Sequence, residues 1–166
     1  NQHMLIVSAD KDFFQLQRYS TVSQWDPMAK IFLRTDNPDE FLKSHIIRGD
    51  PGDGVPNFLS PDNSFVDKIR QKPIRTTQLN AWLELEPDQF YDQVASKPGY
   101  QRNQKLIDLF VIPDEVGKSI FQAFLDSKEN TDRSKLSYYF IEHQLVQMLA
   151  AIDEFIPSKG MPRFPV

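Results

Sequence analysis

Residues 3–13 read His3-Met4-Leu5-Ile6-Val7-Ser8-Ala9-Asp10-Lys11-Asp12-Phe13, and the turn of this run from apolar to acidic decides the fold class. A short, continuously apolar segment followed by small polar residues reads as a buried strand of the kind found inside parallel sheets. Asp12-Phe13-Phe14-Gln15-Leu16-Gln17-Arg18-Tyr19 then reads as a helix with an acid at its electropositive end. Val22–Trp25 and Lys30–Arg34 read as two short strands, with Asp26-Pro27 as the turn between them. A strand buried in a parallel sheet needs neighbours on both sides, and the rest of the chain offers few strands. The sequence therefore predicts that the other strands of this sheet lie upstream and that the chain starts inside a domain.

Beyond Thr35 the pattern becomes helical. Asp36-Asn37-Pro38-Asp39-Glu40 is a capping segment that opens a helix carrying Phe41, Leu42, His45, Ile46 and Ile47, which Gly49 closes. The next stretch, Gly49-Asp50-Pro51-Gly52-Asp53-Gly54-Val55-Pro56-Asn57, is dense in turn formers and acids, and residues 60–76 are irregular and basic. Helices are predicted over Thr77–Leu85, from Pro87, from Pro113 with Val116, Ile120, Phe121 and Phe124 along one stripe, and over Ser134–Phe155. The apolar stripes of the last two are read as core, and the proline-rich tail Pro157–Val166 as extended. The expected fold is mainly α with a small α/β remnant, residues 1–35 ending an α/β domain and residues 36–166 forming a helical one.

The chain has 166 residues, of which 40% are hydrophobic and 12% aromatic, so it is a globular protein and not a disordered one. It has no cysteine, which excludes disulfides and thiolate-held metals. Any metal must be held by carboxylates, backbone oxygens or histidines, a donor set that suits hard ions. No segment is long and apolar enough to span a membrane, and no secretory signal opens the sequence, so a cytoplasmic protein is expected. The net charge of −4 argues against nucleic acid only on average. Lys68, Arg70, Lys72 and Arg75 crowd one stretch, and binding depends on where charge sits.

Two acid clusters carry the chemistry. Asp10 and Asp12 stand where a strand ends and a helix begins, the place where ligand sites form in open α/β sheets. Asp50 and Asp53 project from a glycine-bent loop. Taken singly, an Asp at a helix start is usually a cap and an Asp-Pro-Gly-Asp-Gly loop usually a solvated turn. Together and in this order they are far more specific, because massed carboxylates repel unless a cation neutralises them.

That combination resembles the flap endonuclease and 5′-exonuclease family. Ile6-Val7-Ser8-Ala9-Asp10-Lys11-Asp12-Phe13 is similar to the family's strand bearing an S-x-D-x-D pattern. Arg48-Gly49-Asp50-Pro51-Gly52-Asp53-Gly54-Val55-Pro56-Asn57 is similar to its G-D-x-x-D loop in the helix–three-turn–helix element. Within the family the resemblance is strongest to the ribonucleases H of T-even-type phages, supported by Val22–Met28, Leu106–Asp114 and Tyr138–Phe155. It implies the end of a PIN-like nuclease domain followed by a helix–three-turn–helix domain, and a chain that is the C-terminal portion of a metal-dependent 5′-nuclease. It further implies Asp10, Asp12 and Asp53 as catalytic acids of the metal site, with Asp50 a nearby outer-sphere or loop-ordering acid. The implied cofactors are Mg²⁺ ions, two in the full-length enzyme, with Mn²⁺ also compatible. The implied substrates are 5′ ends of RNA–DNA and DNA duplexes, including flaps, in the removal of primers during phage replication in the host cytoplasm. Replication proteins such as a single-strand-binding protein are the implied partners. Asn57-Phe58-Leu59-Ser60-Pro61 stands where cellular members carry a Gly-Ile-Gly turn that grips the duplex, and the family's remaining acids lie in N-terminal segments outside this chain. The fragment alone is therefore expected to be inactive.

For phosphate contact the candidates are Lys68, Arg70, Lys72 and Arg75, then Lys43 and Arg48 beside the acidic loop. A competing function is a non-catalytic helical module that binds duplex DNA or a replication protein. His3, His45 and His143 lack metal-ligand spacing among themselves, and His45 reads as a packing residue. Trp25 and Trp82 read as core.

Overall fold

The computed structural model describes residues 2–127 and 135–155. Two compact units divide the chain, Asn1–Asp114 and Glu115–Val166. About half of the described residues are helical and three short strands form one small sheet.

In the first unit, strand β1 (Met4–Val7) pairs in parallel with β2 (Val22–Asp26), and β2 pairs antiparallel with β3 (Ile31–Leu33). The Asp26 turn closes on itself, its carboxylate accepting from the Met28 and Ala29 backbone N–H groups at 2.8 and 3.0 Å. The burial read from the apolar run of β1 is not met within this chain, whose other strands the sequence places upstream. β1 is an edge strand, and Met4, Leu5 and Val7 are each more than half exposed. Apolar content alone cannot distinguish a strand flanked on both sides from one with a single neighbour.

Between β1 and β2 runs the expected helix, a 3₁₀ helix over Lys11–Arg18. Its cap is Asp10, whose carboxylate accepts the Asp12 N–H at 2.9 Å. The buried Gln15 ties it across the unit, donating to the Ile107 carbonyl at 2.9 Å and accepting from the Leu109 N–H at 3.0 Å.

Helix α1 (Pro38–Arg48) begins at the cap Asn37, which accepts the Glu40 N–H at 3.1 Å, and ends at Gly49. Its Leu42, Ile46 and Ile47 are buried together with Val55, Phe58, Leu79, Phe90, Val94, Tyr100 and Ile107. Helices α2 (Thr76–Leu83), α3 (Pro87–Phe90), its π-helical continuation Tyr91–Ala95 and α4 (Pro98–Ile107) surround that core. Full burial of Ile46 and Ile47, each worth about 1.5–3 kcal/mol, fixes the face that α1 turns inward. Trp82 packs edge-on against the core residue Phe58 at 5.2 Å, as the sequence predicts, whereas Trp25, half-buried against the exposed Phe32 at 4.9 Å, lies outside the core.

The second unit holds α5 (Asp114–Asp126), α6 (Leu136–Glu142), α7 (Val146–Ala150) and a 3₁₀ turn, Ile152–Phe155. The single helix expected over Ser134–Phe155 is corrected to three pieces, its start Ser134 lying outside the described residues. Gln144 adopts φ 54°, and the Leu145 N–H reaches back to the Phe140 carbonyl at 2.8 Å while the Gln144 N–H meets Ile141 at 3.1 Å. That is a Schellman closure with glutamine where glycine is usual, so no glycine marks it in the sequence. The α5 stripe read as core is exposed, Val116, Ile120, Phe121 and Phe124 all remaining largely accessible, whereas Phe140 is buried. A unit this small has too little interior to cover both stripes. The extended tail expected over Pro157–Val166 falls outside the described residues. Among the described residues, no helix is long and apolar enough to cross a membrane.

Candidate metal centre

The end of β1 is pinned from behind. Gln24, fully buried in β2, donates to the Ser8 carbonyl at 2.9 Å and to the Asp10 carbonyl at 2.6 Å. The turn carrying Asp10 is thereby fixed, and the Asp10 cap sets where Asp12 begins the 3₁₀ helix. Phe14 of that helix meets Phe41 of α1 edge-on at 5.0 Å, and Phe41 meets His45 at 5.6 Å. Phe41 and His45 are four residues apart and share a helix face, so the packing that docks α1 delivers His45 to Asp12.

The acidic loop is held equally firmly. Asp50 and Val55 form an isolated antiparallel bridge, the Val55 N–H donating to the Asp50 carbonyl at 2.7 Å. Asn103, fully buried on α4, donates to the carbonyls of Ile46 and Pro56 at 2.8 and 2.9 Å. Beside it the Arg102 guanidinium reaches the carbonyls of Pro56, Asn57 and Ser60 and the Asp62 carboxylate. The Asn57 side chain ties the same loop to the Lys72 carbonyl at 2.8 Å.

Asp12, His45 and Asp50 offer one ligand atom each within 4.8 Å of one another. His45 Nε2 lies 3.2 Å from Asp50 Oδ2, and His45 Nδ1 lies 3.6 Å from Asp12 Oδ1. The other Asp50 oxygen accepts the Gly52 and Asp53 N–H groups at 2.8 and 3.3 Å. Burial pushes the Asp12 carboxyl up, His45 pulls it down, and the charges of Asp10, Asp50 and Asp53 push it up again, with a net rise. For Asp50 burial also pushes upward, but the backbone donors of Asp53 and Gly52, together with His45, outweigh it and hold the group below the usual carboxylate range. Asp12 thus sits in a surplus of negative charge that a bound cation relieves. The donor set of carboxylates and one imidazole fits a divalent ion.

Of the residues singled out from sequence, Asp12 and Asp50 come together directly. Asp10 and Asp53 are close enough for their charges to act on Asp12, and both are exposed. Reading His45 as mere packing missed its second role, since its ring both packs on Phe41 and faces two acids. The signal that could have found it is its position four residues after Phe41 and five before Asp50. Gln24, Arg102 and Asn103 were missed because a lone polar residue shows no sign of being buried.

Arg48 and Lys72 line one cleft of about 400 Å3 with Gly49 and Pro51 of the acidic loop. Lys68, Arg70 and Arg75 are exposed on the segment leading into and out of it. Lys43 lies elsewhere, its ammonium 5.1 Å over the Phe90 ring, about 200° around α1 from His45.

The family model for "T4 RNase H, C terminal" matches residues 38–155. Ribonuclease H of Enterobacteria phage T4 is 25% identical over 158 residues, covering 92% of this chain and 52% of that protein. The chain spans about half the length of the curated relative it matches. With a match over most of its length, the chain belongs to the family of the C-terminal domain of T4 RNase H.

Proposed function

We propose that this chain is the C-terminal portion of a Mg²⁺-dependent 5′-nuclease that hydrolyses phosphodiesters at the 5′ ends of RNA–DNA and DNA duplexes, in the removal of replication primers. The observation that carries this reading is the convergence of Asp12 and Asp50, within reach of the charges of Asp10 and Asp53, at a strand end and a loop held from behind by Gln24 and Asn103. Two further facts support it. The relative named a ribonuclease H extends over about twice this length, and β1 presents an apolar, exposed strand of the kind that an adjoining strand would cover. In this reading the PIN-like domain ends near residue 35, and the helices that follow form the helix–three-turn–helix domain.

In the working site Asp10, Asp12 and Asp53 hold the divalent ions, and Asp50 orders the loop and orients His45. The ions, when bound, supply Lewis-acid stabilisation of the phosphodiester oxygens and activation of water. The chain's own residues do the rest. Arg48 and Lys72 receive a backbone phosphate in the cleft beside the loop, and Lys68, Arg70 and Arg75 extend the contact along the duplex. The acids act as electrostatic scaffold, none as a covalent nucleophile. Because further acids of the family lie outside this chain, the chain alone binds duplex without cutting it.

The test is a 5′-labelled RNA–DNA duplex incubated with the chain in Mg²⁺ and in EDTA, beside Asp53→Asn. The expected result is salt-sensitive binding with no products from the chain alone. From the full-length protein, metal-dependent short 5′ products are expected that Asp53→Asn abolishes. Full-length protein that cuts equally well in EDTA, or with Asp53→Asn, would sink the reading.

A further inference from the structure

Between the acidic loop and α2 the chain closes a turn that the metal centre does not use. The Asp67 N–H donates to the Asn63 carbonyl at 2.9 Å and the Ile69 N–H to the Ser64 carbonyl at 2.8 Å, with Lys68 at φ 54° completing the closure. Inside it the Ser64 hydroxyl donates to the Pro61 carbonyl at 2.6 Å. At its base the Arg102 guanidinium donates to the Ser60 carbonyl at 3.1 Å and to the Asp62 carboxylate. The Lys72 N–H donates to the Ser60 hydroxyl at 2.9 Å. The turn is thus held in one shape and fixed against the basic segment that follows it.

What this turn displays reverses ordinary patterning. Ser64 is 2% exposed, while Phe65, Val66 and Ile69 are 39%, 83% and 42% exposed. A loop that only links two helices has no need of three apolar side chains held in water, and such a patch marks a contact surface. Its charge says with what. Over residues 63–75 the cations Lys68, Arg70, Lys72 and Arg75 stand against one acid, Asp67, in a chain of net charge −4. The Asp67 carboxylate is itself taken up by the Asn63 amide at 2.5 Å. A partner complementary to both features carries closely spaced negative charge together with a flat apolar face. Nucleic acid has both, but only where a base is unpaired, since inside a duplex each base face is covered by its neighbours. Phe65 brings the aromatic ring that such a face stacks on.

We propose that Phe65, on the turn Asn63–Ile69, stacks on an unpaired nucleobase of the substrate while Lys68 and Arg70 hold the phosphates beside it. The chain therefore prefers a duplex bearing a single-stranded arm to a blunt one. Val66 and Ile69 widen the apolar platform. Every base has a π-face, so the contact is indifferent to sequence. The inference rests on the reading of this stretch as a nucleic-acid contact and adds which part of the substrate it takes.

Fluorescence anisotropy in EDTA compares two probes, a blunt DNA duplex and the same duplex with a single-stranded arm of mixed sequence. The chain is expected to bind the armed probe about tenfold more tightly. Phe65→Ala removes that preference and leaves blunt-duplex affinity within about twofold, and Phe65→Leu, which keeps apolar bulk without the ring, does the same. Iodouracil placed in the arm should cross-link on irradiation to the peptide that holds Phe65, and iodouracil inside the duplex should not. Equal affinity for the two probes, an arm preference that survives in both variants, or a cross-link that maps away from this turn overturns the proposal. With salt-sensitive duplex binding intact, any of these leaves the proposed function standing and the apolar tip to a protein partner. A chain that binds neither probe overturns both. Because the preference and the cross-link are read on the unaltered chain, a folding defect in a variant does not shield the proposal.

Discussion

Gly49 joins the helix that carries His45 to the loop that carries Asp50 and Asp53, and replacing it with alanine tests how rigidly that joint is set. Its backbone sits at φ 69° and ψ −175°, a region open essentially to glycine alone, and holding another residue there costs about 1–3 kcal/mol. A Cβ at this position would stand 2.4 Å from the Val55 carbonyl oxygen and 2.5 Å from that of Pro56. Both are backbone atoms, so relief requires the Asp50–Val55 bridge to open by at least about 0.6 Å against a close-packed interior, adding roughly 1–3 kcal/mol of overpacking strain. Gly49→Ala should therefore lose about 2–6 kcal/mol, a large fraction of the stability of an ordinary domain. Gly54 is the internal control. Its φ is 76°, yet nothing lies within 4 Å of an added Cβ, so Gly54→Ala should lose only about 1–2 kcal/mol for the left-handed backbone. Urea denaturation followed by tryptophan fluorescence isolates the relevant unit, since Trp25 and Trp82 both belong to the first one. Two variants differing by less than about 0.5 kcal/mol would show that the close approach behind Gly49 is not real and that the loop is looser than argued.

The two directly facing acids should shift stability in opposite directions in the metal-free chain. Asp12 has a raised folded carboxyl, so its ionised form opposes folding. That opposition is absent below the unfolded value of 3.8 and complete once the pH has risen past the folded one. Asp12→Asn should accordingly raise the melting temperature in EDTA at neutral pH and lose its advantage in acid. Asp50 is lowered, so its contribution is present above 3.8 and disappears as pH falls through its folded value; Asp50→Asn should lower the melting temperature at neutral pH. Tyr100 is pushed up to about 12 by burial and then by Asp108, so absorbance titration should show one phenol ionising well after the others, with stability lost as pH climbs from about 10 toward that value. Replacing Lys68, Arg70, Lys72 and Arg75 with alanine should flatten the salt dependence of duplex binding by about 0.9 for each phosphate no longer neutralised, read from affinities at several salt concentrations; an unchanged slope would remove this stretch from the interface.

How much of this was legible beforehand depends on what kind of physics held each part. Elements set by local rules stood in the sequence: the Asn37–Glu40 cap, the Gly49 stop, the Asp26 turn and the prolines opening α3 and α5, whereas α4, which Pro98 opens, went unread. The acids were legible because carboxylates massed at a strand end and a glycine-bent loop are costly without a purpose. What escaped was set by tertiary neighbours. The apolar run of β1 reads the same whether one strand or two flank it, and the stripe of α5 reads the same whether covered or bare. The closure at Gln144 needs a left-handed backbone that a glutamine does not announce. His45 escaped because a histidine in an apolar pattern has a ready explanation in packing, and the contact with Phe41 supplies that explanation without excluding the second one.

The centre also shows a division of labour between groups that face the ion and groups that do not. Asp10 and Asp53 are exposed and Asp12 half-buried, and their mutual repulsion would spread them if they alone set the geometry. Position instead comes from neutral side chains buried behind them. Gln24 holds the turn at Asp10, Asn103 clamps α1 to the loop, and Asn57 fastens that loop to the basic segment. Each such group donates to backbone carbonyls at a joint of the site, a net gain of about 0.5–1.5 kcal/mol for each hydrogen bond. Truncating them should therefore weaken stability and ion affinity together. Removing Asp12 should strengthen one and weaken the other. A site whose acids and anchors respond with opposite signs is one in which the fold carries a standing electrostatic cost in the absence of the ion, and that cost is the source of the affinity when the ion arrives.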